Sequence, residues 1–130
     1  MNKIVARFAD GRILKGFTSD FSPGKKMFHL SSREDGSVEV INVEKLKALF
    51  IVKKFEGNPD YRESSDFEKT GNVAYGAKLK VIFKDGEEFV GVGMGYNPER
   101  TGFFMTPCDP DCNTVRAFVV NEFVDHIERL

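Results

Sequence analysis

The chain repeats itself, and the repeat constrains the fold before any motif is considered. Phe8, Asp10, Gly11, Gly16, Phe21, Pro23, Lys25 and Phe28 have counterparts in Phe83, Asp85, Gly86, Gly91, Tyr96, Pro98, Arg100 and Phe103, each pair 75 positions apart. One small unit is used twice in 130 residues, so whatever fold the first copy takes, the second is expected to take too.

Each copy opens with alternating apolar residues, the period-2 signature of a half-buried strand. Ile4, Ala6 and Phe8 share one face in the first, and Leu79, Val81 and Phe83 in the second. Asp10-Gly11 and Asp85-Gly86 then predict hairpin turns, because the turn needs φ > 0 and glycine takes it without steric cost. Gly16 and Gly91 sit inside the next strand, where glycine is unfavourable unless the sheet bends or another backbone comes close. The spacing predicts a bend there. Met27–Leu30 and Gly102–Met105 read as third strands, followed by polar turns. The 108–112 loop, Cys-Asp-Pro-Asp-Cys, absorbs an insertion. Beyond it, Val38, Ile41, Val43, Leu46 and Phe50 align with Val115, Phe118, Val120, Phe123 and Ile127, 77 apart. Asn42-Val43-Glu44 and Val120-Asn121-Glu122 read as tight turns into a short fifth strand.

The expected fold is therefore all-β, with two tandem five-stranded barrels of the small SH3-like or Sm-like kind. Residues 1–52 form the first, residues 77–130 the second, and 53–76 a linker. A barrel of that size buries little core alone, so the two copies are expected to pack together, or the chain to pair with another copy of itself. The linker is long for a connection inside a compact domain. It carries breakers at Asn58-Pro59, Ser64-Ser65 and Gly71-Asn72. Phe55, Tyr61 and Phe67 are expected to pin it, and a short helix over 60–69 is the weaker expectation because its apolar positions are sparse.

Formal net charge is −1, so no global field draws the chain to nucleic acid or membrane. No stretch approaches the roughly 20 apolar residues that span a bilayer. No leader-like apolar run opens the sequence, and the cytoplasm is the default location. Thirteen Phe and no Trp point to a phenylalanine core.

The segment Val5–Leu30 resembles the first motif of the Sm-like family: a strand, Asp-Gly, a strand with a glycine, a polar loop, an apolar strand. Val38–Val52 resembles its shorter second motif. That likeness implies the barrel and, as one alternative, RNA binding. Thr18-Ser19-Asp20-Phe21-Ser22-Pro23-Gly24 with Met27–Leu30 resembles, in degenerate form, the Asp-x-Ser-x-x-Gly segment of PilZ domains, with Lys25 where the last glycine would fall. It implies a second alternative, a sensor of cyclic diguanylate or another nucleotide, with Asp20, Ser22, Lys25 and Lys26 as ligand-binding residues. Taken whole, the chain resembles small bacterial proteins that follow an Asp-Gly barrel with a Phe-Glu-Gly-Asn-Pro segment, here 55–59. That resemblance implies no activity.

Cys108 and Cys112 are weak metal candidates, because a structural zinc site needs four ligands and His29 and His126 lie in non-equivalent places. They read as reduced loop thiols, and no cofactor is expected. Lys25, Lys26, Lys45, Lys47, Lys53 and Lys54 could form a basic patch beside Phe21 and Phe28. The alternation of Lys45 and Lys47 with Leu46 and Ala48 reads instead as a solvated strand face, which makes nucleic acid the lesser expectation. No nucleophile elbow, P-loop or His-Glu zinc motif is present. Asp10 and Asp85 are explained by their turns. The leading expectation is a non-enzymatic binding module whose partner is a protein, another chain or a second copy, met at exposed barrel edges or the linker.

Overall fold

The computed structural model describes residues 2–70 and 76–130. It is all-β. The strands are β1 (Asn2–Phe8), β2 (Ile13–Thr18), β3 (Met27–Ser32), β4 (Val38–Asn42), β5 (Leu46–Val52), β6 (Ala77–Phe83), β7 (Glu88–Met94), β8 (Gly102–Pro107), β9 (Thr114–Val120) and β10 (Val124–Arg129). Single 3-10 turns over Val43–Lys45 and Asn121–Phe123 lead into β5 and β10, and one helical turn, α1 (Phe67–Thr70), lies in the connection. The strands form one ten-stranded sheet, ordered β10-β6-β7-β8-β9-β5-β1-β2-β3-β4. Every pairing is antiparallel.

The Asp-Gly pairs make the turns they predict. Gly11 has φ +94° and Gly86 +88°. The Asp10 carboxylate accepts from the Arg12 amide at 2.9 Å, and Asp85 from the Glu87 amide at 2.9 Å. Gly16 and Gly91 answer to a close backbone approach. A β-carbon at Gly16 would lie 2.0 Å from the Ser31 carbonyl oxygen, and one at Gly91 2.2 Å from that of Thr106.

One alignment is corrected. β1 places Ile4 opposite Ile51 and Ala6 opposite Leu49, while β6 places Leu79 opposite Arg129 and Val81 opposite Ile127. Phe28 faces Ile41 across β3 and β4, and Phe103 faces Val119 across β8 and β9. The partners of 75-spaced residues are thus 78 apart rather than 77, and a one-residue slip exchanges the two faces of a strand. Ala117 through Val120 are buried without a break, so apolar alternation alone could not fix the register.

Two cores form on opposite faces of the shared sheet. Ile4, Ala6, Phe28, Leu30, Ile41, Leu49 and Ile51 pack in one, together with Phe118 and Val120 from β9. Leu79, Val81, Phe83, Phe103, Met105, Ala117 and Val119 pack in the other, together with Val5, Ala48, Phe50 and Val52. Successive residues of a strand face opposite ways, so β5 and β9, which pair with each other, each feed both cores. Burying a side chain such as Phe118 is worth about 1.5–3 kcal/mol, and a row of such side chains along the joint ties the halves together.

The connection packs on both halves. Phe55 meets Phe17 edge-on at 5.3 Å with Arg33 over its ring, and the Lys15 ammonium donates to its carbonyl at 3.0 Å. Asn113 ties the Lys54 backbone through both ends of its amide. Tyr61 reaches Asp109, and Lys78 lies over Phe67. Among the described residues of this stretch helix is confined to α1, and the Gly71-Asn72 breaker lies outside them.

Candidate functional site

β4 ends the sheet with a neighbour on one side only, as does β10 at the other end. The Val43 amide donates to the Lys26 carbonyl at 2.9 Å and the Ser32 amide to the Ser37 carbonyl at 2.8 Å. Odd-numbered positions of β4 therefore turn their backbone groups to β3. The amides and carbonyls of Val38, Val40 and Asn42 point to the open side. Ile41 is buried, whereas Val38 and Val40 are 64% and 56% exposed and Met27, across from Asn42, is 57% exposed. The strand is held at both ends. Asn42 caps the following 3-10 turn by accepting from the Glu44 amide at 3.0 Å, and Asp35 accepts from Ser37. Glu39 pairs with Arg12.

The opposite edge is chemically different. On β10, His126 pairs with Asp125 at 2.7 Å and Glu128 at 3.3 Å, and beside it Lys80 pairs with Glu88 at 3.7 Å. Its two carboxylate neighbours raise the His126 pKa. Charged side chains of this kind blunt a sheet edge.

A second feature is a cavity of about 520 Å³ where the two halves meet, lined among others by Thr18, Ser19, Phe21, Pro23, Phe104 and Arg116. Arg116 lies 4.3 Å over the Phe104 ring, and Phe21, Phe104 and Phe118 stack edge-on around one another. Ser19, Phe21 and Pro23 come from the PilZ-like segment. Arg116 and Phe104 carried no sequence signal, because they reach the cavity only through the pairing of β9 with β5.

Of the expected ligand-binding residues, Asp20 and Lys25 come together as struts of their own loop. Asp20 accepts from the His29 amide at 2.9 Å and from the Thr18 hydroxyl at 3.1 Å, and it meets the His29 ring at 2.7 Å. Those bonds, the His29 ring foremost, hold its carboxyl at a pKa of about 2. Lys25 donates to the Asp20 carbonyl at 3.1 Å. Ser22 and Lys26 are exposed, and the carbonyl of Lys26 receives the Val43 amide.

The lysine pattern needs a correction. Lys47 is 5% exposed rather than solvated. Its ammonium lies over Phe83 and bridges Asp85 at 2.7 Å and Glu87 at 3.0 Å, residues of the other half. Lys47 lowers the pKa of Asp85. Alternation around Leu46 and Ala48 misled because the β1–β5 ladder shifts register at Lys47, which sets Leu46 and Ala48 in different cores and turns Lys47 onto the β6–β7 hairpin.

Cys108 and Cys112 are reduced and buried, although both flank a loop. Between them Asp109, 4% exposed, accepts from the Tyr61 hydroxyl at 2.5 Å, the Ser64 amide at 3.0 Å and the Asp111 amide at 2.9 Å. Asp109 in turn lifts the Tyr61 phenol to a pKa of about 12. Burial raises the Cys108 thiol and brings Cys112 to about 11, with Glu63 and Asp109 adding negative charge. Such thiols resist forming the thiolate that nucleophilic or metal chemistry requires. Among the described residues no group of three or more His, Cys, Asp and Glu is arranged to hold a metal ion, and no helix is long and apolar enough to cross a membrane.

These features define an all-β protein with one open ten-stranded sheet, an apolar edge at β4 and a charged edge at β10. The chain belongs to a family of unknown function, DUF6982, whose sequence model matches residues 1–130. No curated protein and no solved structure matches it.

Proposed function

We propose that the sheet is two copies of one five-stranded unit, each curled as a small SH3-like or Sm-like barrel and fused along β5 and β9. On this reading the chain is a non-enzymatic binding module that takes another protein by strand addition at β4. The order β5-β1-β2-β3-β4 recurs as β10-β6-β7-β8-β9, which supports the two-unit reading. The observation that carries the function is the open β4 edge, with its outward backbone groups and exposed Val38 and Val40. An added strand gains main-chain hydrogen bonds for affinity, and alternate side chains give selectivity. The pairing of Asp20 with His29 and the withdrawal of Lys47 leave the nucleotide and RNA alternatives with fewer free groups.

The test is a photo-crosslinking residue placed at Val40 and, separately, at His126, in the cell that makes the protein. Capture of one defined protein from position 40 and none from 126 is expected. Equal capture at both positions, or none at 40, overturns the reading.

A further inference from the structure

The β4 edge is open on one side, and the chain itself offers a comparison for how such an edge is closed. The chain already contains one joint of this kind, where β9, the counterpart of β4, pairs antiparallel with β5. At that joint Phe118, 78 positions from Val40, is fully buried. Val40 therefore occupies a position that the same architecture uses for contact, yet it stands open to solvent.

Two ways of closing the edge with a second copy can be compared. The first repeats the internal joint, with β4 of one chain on β10 of the next. By the 78-residue equivalence, the joint's pairs Leu49–Phe118, Phe50–Ala117 and Ile51–Arg116 become Ile127–Val40, Glu128–Glu39 and Arg129–Val38. Directly opposed glutamates are destabilising. The apolar face that Ala48 and Phe50 supply at the joint is also replaced by His126 and Glu128. A head-to-tail contact that fails to close would further run into open filaments.

The second way is a two-fold pairing of β4 with itself. An antiparallel ladder centred on Val40 sets Val40 opposite Val40, Val38 opposite Asn42 and Glu39 opposite Ile41. No like charges face each other. The backbone phase fits, because Val38, Val40 and Asn42 are the positions whose amides and carbonyls point outward. Each would exchange both hydrogen bonds with its opposite number. Val38, Val40 and Met27 of both copies would then lie on one face. We propose that β4 is a homodimer interface in which two copies of this chain pair antiparallel about Val40, continuing the sheet across the two-fold axis. This deepens the strand-addition reading by naming the added strand.

The experiment uses the full chain. Light scattering after size-exclusion chromatography over a range of concentrations is expected to give twice the mass of one chain. Val40→Lys, which sets two ammonium groups against each other on the axis, and Val38→Lys are expected to weaken association at least tenfold. Circular dichroism reports whether each variant is folded, and the second variant decides if the first is not. Under oxidation, Val40→Cys is expected to link to itself, since Cα atoms of a hydrogen-bonded pair lie about 5.5 Å apart, within disulfide reach. A one-chain mass throughout overturns the proposal, and so does a dimer indifferent to both lysine variants. Linkage of Val40→Cys to Ile127→Cys in place of itself overturns it in favour of the head-to-tail joint. If the chain is monomeric while the crosslinker at position 40 still captures another protein, the homodimer falls and the strand-addition reading stands.

Discussion

Two glycines show how a single residue can be dictated by a neighbouring backbone. Gly16 and Gly91 are not at positive φ, so conformational freedom does not explain them. They are glycine because the carbonyls of Ser31 and Thr106 occupy the space a side chain would take. Gly91→Ala is expected to destabilise the fold by about 1–3 kcal/mol or more, the usual cost of overpacking, with Gly16→Ala behaving alike in urea unfolding. An alanine variant of wild-type stability at either place would show that β2–β3 or β7–β8 can part without cost. The cysteines follow the same logic of surroundings. With burial raising both thiols, iodoacetamide at pH 8 is expected to leave Cys108 and Cys112 unmodified in the folded chain and to alkylate both in denaturant. Rapid labelling of the native protein would contradict their burial.

At the scale of elements, β5 is the strand on which the molecule turns. Its apolar residues were legible as a strand, but its burial on both faces was not, because nothing local says that side chains of β6, β7 and β8 will pack on its second face. Lys47 is the consequence. A lysine in that setting must be paired, and Asp85 and Glu87 pair it. The Asp85 pKa is depressed in the folded state, so its contribution is fully present above the unfolded value of 3.8. That contribution is lost as pH falls through the lower folded value. Wild type should therefore lose thermal stability below pH 3.8 more steeply than Lys47→Met, in which the pair is absent. Parallel acid limbs for the two proteins would mean that the bridge contributes nothing.

For the molecule as a whole, the two ends of one sheet have been treated differently. β10 carries His126, Asp125, Glu128 and Arg129, while β4 keeps Val38 and Val40. The single sheet is left with one edge guarded by charge and one edge open. The proposed two-fold pairing at β4 would end the sheet's growth, whereas repeated use of the internal joint would not.

The sequence by itself determined the strands, the Asp-Gly turns and the place of the strand glycines. These depend on local chemistry, on φ > 0 at a turn or on alternation along a strand. Only the tertiary structure decided how the halves share a sheet, that Lys47 is buried and that Arg116 lines one cavity with Phe21. It also set the true register at 78 rather than 77. Those depend on which distant strand covers which face, and a run such as Ala117–Val120, apolar on both sides, reads alike in either register until a partner is laid against it.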